Sequence, residues 1–301
     1  MQRREDRIGE FWDRKGGLSI KNKDYRNFVG KLQSLLLRND VKKKDLATSP
    51  LKKKIKAVII SKDEGIVAGL DEFSLINKDL KLIFFKKDGE KIKNKDVIVE
   101  ITGDARIILP MERTNLNLLQ RMSGIATLAF NLSKISGKSR IAATRKTPWG
   151  LMDKKAVSVG GGLSHRLSLN DGVIIKDNHL ELLKYDFRKI INLYRNASKR
   201  IEIEVENKNN AISAATAIKS ALDKNNKHIF ALMLDKINPH EIKSIIRTLK
   251  KMDVYNSILL EASGNINEGN LANYASCGVD IISMGYLTNS AKALDLSQEI
   301  R

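Results

Sequence analysis

The residues able to do chemistry gather between Thr144 and His179. The stretch reads TRKTPWG, then GGGLSHR, then IIKDNH, and it offers Arg145, Lys146, His165, Arg166, Lys176, His179 and the backbone of 160–162 to an anion. Arginine presents a planar fork that matches a carboxylate or phosphate in two hydrogen bonds, whereas lysine is a compact point charge. A glycine run lets backbone amides approach a ligand closely. Taken singly, each cation reads as a surface salt bridge and the glycine run more often as a flexible turn. Their placement argues otherwise, because IAA precedes Arg145 and GVII precedes Lys176. Cations at the ends of apolar, strand-like runs point to a small polyanion held inside a fold.

Glu204, Asp235 and Glu261 close three later apolar runs. Carboxylates on neighbouring strand ends can hold a hard cation such as Mg²⁺ with waters and substrate phosphates, or grip ribose hydroxyls. The plainer alternative is that they only balance the basic set. His165 has the chemistry of a hydrogen-bond donor to an anion or of a general acid. His179, after Asp177 and Asn178, fits loop organisation as well as substrate contact. HExxH, CxxC and GxSxG are absent from the sequence, so it marks neither a dedicated zinc site nor a nucleophilic serine. Cys277 is the only cysteine, which excludes an internal disulfide and fits buried packing near a helix end.

The elements that must position these groups fall into two patterns. Strand-like runs at 141–143, 173–175, 201–205, 229–234, 258–260 and 281–283 alternate with helical patterns such as 187–197, 211–222 and 239–252. Repeated βα units imply a parallel sheet. Nearly every run stops at a charged residue or a glycine, and in a (β/α) barrel the carboxyl ends of the strands line the active site. A doubly wound open sheet competes, but the GxGxxG that would support it is missing. The fold class expected is therefore α/β with α+β, an N-terminal α/β sandwich domain plus an incomplete (β/α) barrel.

Before Pro110 the pattern is a helix at 28–37, then strand-like segments at 57–60, 65–70, 80–85 and 97–101, expected to form a mostly antiparallel sheet. A long helix is expected at 111–136, opened by Pro110 and Glu112 and closed by Gly137. Residues 1–26 read as a mobile or loosely packed extension. The expected domains are 27–137 with the linking helix and 138–288 as the barrel, followed by 289–301 packing back on the first, with a short helix over 292–301.

Hydrophobic residues make up 42% of the 301, enough for a sizeable core. No apolar run approaches the roughly 18 residues that span a bilayer, and the N-terminus lacks the apolar stretch of a secretory signal, so a cytoplasmic location is expected. The net charge of +19 raises nucleic acid as a partner. The lysines lie in short runs (42–44, 52–54, 86–87, 154–155, 250–251), and aromatics are only 5%, too few to interleave for base stacking. Nucleic acid is disfavoured, and the positive field would instead draw a small anion toward a cleft.

Together, MERTNLNLLQRMSGIAT, ATRKTPWGL, KAVSVGGGLSHRLSLNDGVIIKDNH, IEIEVEN, ALMLD, LEASGNI and GVDIISMGYLT resemble the quinolinate phosphoribosyltransferase family across roughly residues 28–300. The resemblance implies transfer of ribose 5-phosphate from phosphoribosyl pyrophosphate to quinolinate, dependent on Mg²⁺, with loss of carbon dioxide. It also implies a homodimer with shared active sites, or a higher oligomer built from it. It assigns Arg113 to the neighbouring subunit's site. Arg145, His165, Arg166 and Lys176 would bind the quinolinate carboxylates. Lys146, Glu204 and Asp235 would be catalytic, Lys146 near the pyrophosphate and the two acids at the ribose hydroxyls or Mg²⁺. Ser263, Gly264, Asn265 and Gly285 would hold the 5-phosphate. A related transferase of different substrate is the alternative, and retention of KDNH argues against it. The chain departs from the family pattern at TPWG and at Lys236, a cation where an amide is expected.

Overall fold

The computed structural model describes residues 3–43, 45–222 and 228–301. Lys44 of the first lysine run and the first two residues of the N-terminal extension lie outside them. In chain order the elements are α1 (Arg4–Trp12), α2 (Lys23–Asp40), β1 (Lys54–Ser61), β2 (Gly65–Ile66), α3 (Leu70–Ile76), β3 (Lys81–Phe84), β4 (Lys91–Ile92), β5 (Val97–Asp104), α4 (Ala105–Ile135), β6 (Arg140–Ala142), α5 (Leu151–Val159), β7 (Val173–Ile175), α6 (Asp177–Leu182), α7 (Phe187–Tyr194), β8 (Arg200–Val205), α8 (Lys208–Leu222), β9 (Ile229–Asp235), α9 (Pro239–Lys251), β10 (Ile258–Ser263), α10 (Glu268–Ala275), β11 (Ile281–Ser283), α11 (Tyr286–Asn289) and β12 (Leu296–Ile300). They divide between two compact units. One gathers Met1–Arg14, Leu132–Lys146 and Gly162–Tyr286, and the other gathers Lys15–Asn131, Thr147–Gly161 and Leu287–Arg301.

The second unit is built on an antiparallel sheet of order β12-β1-β5-β3. Residues 292–301, expected to form a short helix, instead supply strand β12, with Gln298 opposite Ile59. The alternation in LSQEI, which recurs every second residue, suits a strand and not a helix. Helix α4 begins at Ala105, ahead of the expected start, and carries Pro110 inside it. Asp104 decides that start, because its Oδ1 accepts the Arg106 N–H at 2.8 Å, the bond a helix N-cap makes. Residues 147–161, expected with the barrel, belong to this unit. Gly160, just after α5, lies so close to α4 that a Cβ there would stand 2.8 Å from the Ala129 methyl. Tyr25 donates its hydroxyl to Glu72 Oε1 at 2.7 Å in the interior of this unit, and burial pushes the Glu72 carboxyl up to about 7.

The first unit is a six-stranded parallel sheet of order β6-β11-β10-β9-β8-β7. This is the sequential order of a barrel, with the first strand returned beside the last and the ring open between β6 and β7. Residue Leu163 pairs with Ala142 in that seam as an isolated parallel bridge. The expectation of an incomplete barrel matches this topology.

Helix α1 belongs to this unit and is not a loose extension. Ile8, Phe11 and Trp12 are buried against Ala142, Leu163, Ile229, Ala231, Leu259 and Ile281. Ile229 and Ile281 are the first residues of their strands, so α1 closes the amino-terminal mouth of the sheet. The spacing of Ile8, Phe11 and Trp12 gives a nine-residue helix one apolar face, and burying each side chain contributes roughly 1.5–3 kcal/mol. Arg4 adds paired bonds to Asp280 at 2.6 and 2.7 Å. Arg7 donates to the carbonyls of Asn256 and Ser257.

Candidate active site

Because the six strands run parallel, their carboxyl ends share one edge, and the chemistry read from the sequence lies there. Arg145 and Lys146 follow β6 and are exposed. Lys176 follows β7 as the N-cap of α6. Glu204 lies one residue from the end of β8, and Asp235 and Ser263 end β9 and β10. Gly285 follows β11. Glu204 pairs in register with Met233, so Glu204 and Asp235 emerge on the same face of the sheet.

Lys176 Nζ lies 3.2 Å from Glu204 Oε2. Burial pushes the Glu204 carboxyl up, the Lys176 charge draws it back, and Asp235 pushes it up again, leaving it above its ordinary value. His179 supports Lys176: its Nδ1 accepts the Lys176 backbone N–H at 3.0 Å. Of the two roles open to His179, the geometry favours loop organisation. Lys236 reaches Glu206 at 2.8 Å and Asp235 at 3.5 Å, so this departure from the family pattern bridges two acids.

Gly264 follows β10 in the left-handed region at φ +93°, and a Cβ there would stand 2.6 Å from the Lys236 backbone nitrogen. Asn265 is also left-handed, at φ +54°, and its carbonyl accepts Asn270 Nδ2 at 3.1 Å. Only a glycine lets the β9 and β10 ends approach this closely, which makes the Ser263–Gly264–Asn265 turn a tight, backbone-lined corner.

Arg166 donates to the Gly172 carbonyl at 3.0 Å. Burial lowers the proton affinity of its guanidinium, and Arg145 lowers it further, against the pull of Glu202, Asp171 and Glu204. The Arg145 and Arg166 guanidinium groups are near enough to repel each other, and an anion between them would relieve that repulsion.

His165, expected as a carboxylate ligand, lies inside the protein. It is 6% exposed, and both ring nitrogens are engaged by the protein. Nδ1 accepts the Arg166 backbone N–H at 2.8 Å, so the ring proton sits on Nε2, which lies 2.9 Å from Glu261 Oε2. Its backbone is left-handed at φ +56°, a conformation that costs a non-glycine residue on the order of 1–3 kcal/mol. The bond to Glu261 holds it there.

Glu261, read from the sequence with the ligand-facing acids, is wholly buried. Glu202 Oε2 lies 3.7 Å from the same His165 nitrogen. Burial pushes the Glu202 carboxyl well up, and Glu261 pushes it further. Burial also pushes Glu261 up, but the His165 contact brings it below its ordinary value. The two shifts run in opposite directions, favouring the neutral form at Glu202 and the charged form at Glu261. The cluster has the residue types of a metal site, yet a metal on Nε2 would leave both ring nitrogens without a proton. Metal-bound histidines instead donate their second N–H.

Residues 125–299 match quinolinate phosphoribosyl transferase, C-terminal domain, and residues 44–123 match the N-terminal domain of the same family. The chain belongs to the quinolinate phosphoribosyl transferase family. It is 36% identical over 279 residues to a probable carboxylating nicotinate-nucleotide pyrophosphorylase of Methanothermobacter thermautotrophicus, covering 88% of this chain and 96% of that one. A probable carboxylating nicotinate-nucleotide pyrophosphorylase of Bacillus subtilis is 36% identical over 252 residues, covering 81% and 83%. The solved nicotinate-nucleotide pyrophosphorylase of Francisella tularensis superposes with a TM-score of 0.79 at 30% identity, covering 91% of this chain and 96% of that one.

Of the positions the family resemblance singled out, Arg145, Lys146, Lys176, Glu204, Asp235, Ser263 and Gly285 stand at one edge of the parallel sheet. Arg113 belongs to the other unit, exposed on α4. Three residues of this quinolinate phosphoribosyl transferase chain escaped the sequence reading. Glu202 was legible, since the alternation in IEIEV puts it on the face of Glu204. Asp171 and Arg14 carried no local signal of their pairing, because they lie 157 positions apart.

Proposed function

We infer that this chain transfers the 5-phosphoribosyl group from phosphoribosyl pyrophosphate to quinolinate, giving nicotinate mononucleotide, carbon dioxide and pyrophosphate, a step of NAD biosynthesis. The convergence of Arg145, Arg166 and Lys176 opposite Glu204 and Asp235 carries the reading, together with relatives named carboxylating nicotinate-nucleotide pyrophosphorylase.

Arg145, Arg166 and Lys176 bind the two carboxylates of quinolinate, with His165 holding Arg166 from behind. The bond between the anomeric carbon and the pyrophosphate oxygen breaks, and the pair of electrons leaves with pyrophosphate. Lys146 stabilises that developing charge. Glu204 and Asp235 face the ribose, whose ring gains positive character as the bond stretches. The pyridine nitrogen then forms the new bond to the anomeric carbon. Its positive charge accepts the electrons of the 2-carboxylate bond as carbon dioxide leaves, and a proton takes that place. The Ser263–Gly264–Asn265 turn and Gly285 hold the 5-phosphate. Positioning supplies most of the rate.

Two carboxylates on one face of adjacent strands form a hard-oxygen donor set that suits Mg²⁺. Glu204 and Asp235 are the residues that would hold it, through water or substrate, and the ion would neutralise pyrophosphate charge. Arg113, exposed on α4, completes the site of a second copy in a homodimer. No described helix is long and apolar enough to cross a membrane, and the cytoplasm is the proposed location.

The test is product formation from phosphoribosyl pyrophosphate and Mg²⁺ with quinolinate, and with nicotinate in a parallel tube. Nicotinate mononucleotide from quinolinate is expected, lost with a chelator and restored by Mg²⁺. Product from nicotinate alone would overturn the carboxylating reading.

A further inference from the structure

We propose that the N-terminal segment ending at Arg14 is a positioning element for the dicarboxylate site, acting through Arg14 and Asp171 on the loop that carries His165 and Arg166. The proposal rests on the quinolinate reading above. The segment lies ahead of residue 44, where the first family match begins.

Arg14 grips that loop on both sides of the two functional residues. Its backbone N–H donates to Ser164 Oγ at 2.6 Å, immediately before His165. Its Nε donates to Asp171 Oδ1 at 3.0 Å. The other oxygen of Asp171 accepts the Leu167 N–H at 2.9 Å, immediately after Arg166. Residues 164–167 are thus held at each end by one arginine and its carboxylate partner.

Helix α1 fixes the arginine in turn. Each terminal guanidinium nitrogen of Arg14 donates to one carbonyl, of Asp13 at 3.0 Å and of Phe11 at 2.8 Å. Trp12, fully buried, stands beneath His165 with ring centroids 6.4 Å apart. Its indole N–H draws the Glu202 carboxyl down without making a hydrogen bond of ordinary geometry. Arg200 joins from β8, reaching Asp171 Oδ1 at 3.1 Å. The left-handed backbone of His165 is therefore clamped from two directions, by Glu261 on its ring and by Arg14 on its flanks.

Neither Arg14 nor Asp171 lies at the strand ends, so their effect falls on the placement of Arg166. The groups assigned to the 5-phosphate lie on β10 and β11 and share none of these bonds. Loosening the clamp should therefore weaken quinolinate binding and spare phosphoribosyl pyrophosphate.

The experiment measures steady-state kinetics with each substrate varied, and Tm, for the full chain and for Arg14→Ala, Arg14→Lys, Asp171→Asn and the double variant Arg14→Ala/Asp171→Asn. Arg14→Ala and Asp171→Asn should each raise the quinolinate KM about tenfold. The phosphoribosyl pyrophosphate KM should stay within about twofold. The double variant should be no worse than either single one, and Arg14→Lys should recover part of the loss. An unchanged quinolinate KM overturns the proposal. So does a parallel rise of both KM values with a fallen Tm, the pattern of a purely structural role. A parent chain that does not turn over quinolinate sinks the functional reading itself, a different failure.

Discussion

Lys176 Nζ lies 3.2 Å from Glu204 Oε2 across the carboxyl ends of β7 and β8. One of the groups assigned to the dicarboxylate is thereby tied to one assigned to the ribose. The pair couples the two halves of the site electrically.

Lys176→Met should act twice. Losing a charge-assisted bond to a carboxylate, worth about 1.5–3 kcal/mol, should raise the quinolinate KM about 10- to 100-fold. The substitution also removes the charge that draws the Glu204 carboxyl down. The Glu204 carboxyl then rises further, and the acid limb of the kcat/KM profile should move to higher pH. An acid limb that stays in place would separate Glu204 from that limb.

Arg145 is exposed at the end of β6, so its removal should leave the fold intact. Arg145→Ala should cut kcat/KM for quinolinate by roughly 100-fold, the loss of about 3 kcal/mol, with Tm unchanged. Arg145→Lys keeps the charge but not the planar fork and should recover only part of this. Full activity in the alanine variant would remove Arg145 from the site.

Glu72 predicts a pH dependence of stability in the antiparallel unit. Its carboxyl sits at about 7, above the ordinary 4.5, because burial penalises the charged form. The stabilisation is fully present below pH 4.5 and is lost as pH rises through 7, at most about 3 kcal/mol by linkage. Glu72→Gln should flatten urea midpoints across that window and exceed the parent at pH 8. Parallel curves for the two proteins would refute the assignment.

A shared site makes inactive copies complement each other. Arg113→Ala and Lys146→Ala should each be inactive alone. Mixed, denatured and refolded together at equal amounts, they should regain about one quarter of parental activity, since half the dimers carry one intact site. Absence of recovery would place Arg113 outside the partner's site.

All six strands of the parallel sheet were legible because each is a short apolar run stopped by a charge or a glycine. Arg145, Lys146 and Lys176 stand at those stops, as expected from the sequence. The burial of His165 was not legible because it depends on Glu261, 96 residues away, and no local pattern distinguishes an inward histidine from an outward one. Helix α1 was missed for a related reason. Its apolar face is three residues wide among charges, and the surface that buries it comes from four distant strands. The early start of α4 was masked by Pro110, whose preference for a first turn drew the expected start away from Asp104.

The position of α1 also bears on how the chain must fold. Arg4 and Asp280 are joined across 276 positions, so α1 waits on a partner far downstream in the chain. Until β11 is complete, the bed under Ile8, Phe11 and Trp12 lacks Ile281 and stays partly open. Closing the floor of the parallel sheet is then a late event of high contact order, slower than the local pairing that precedes it.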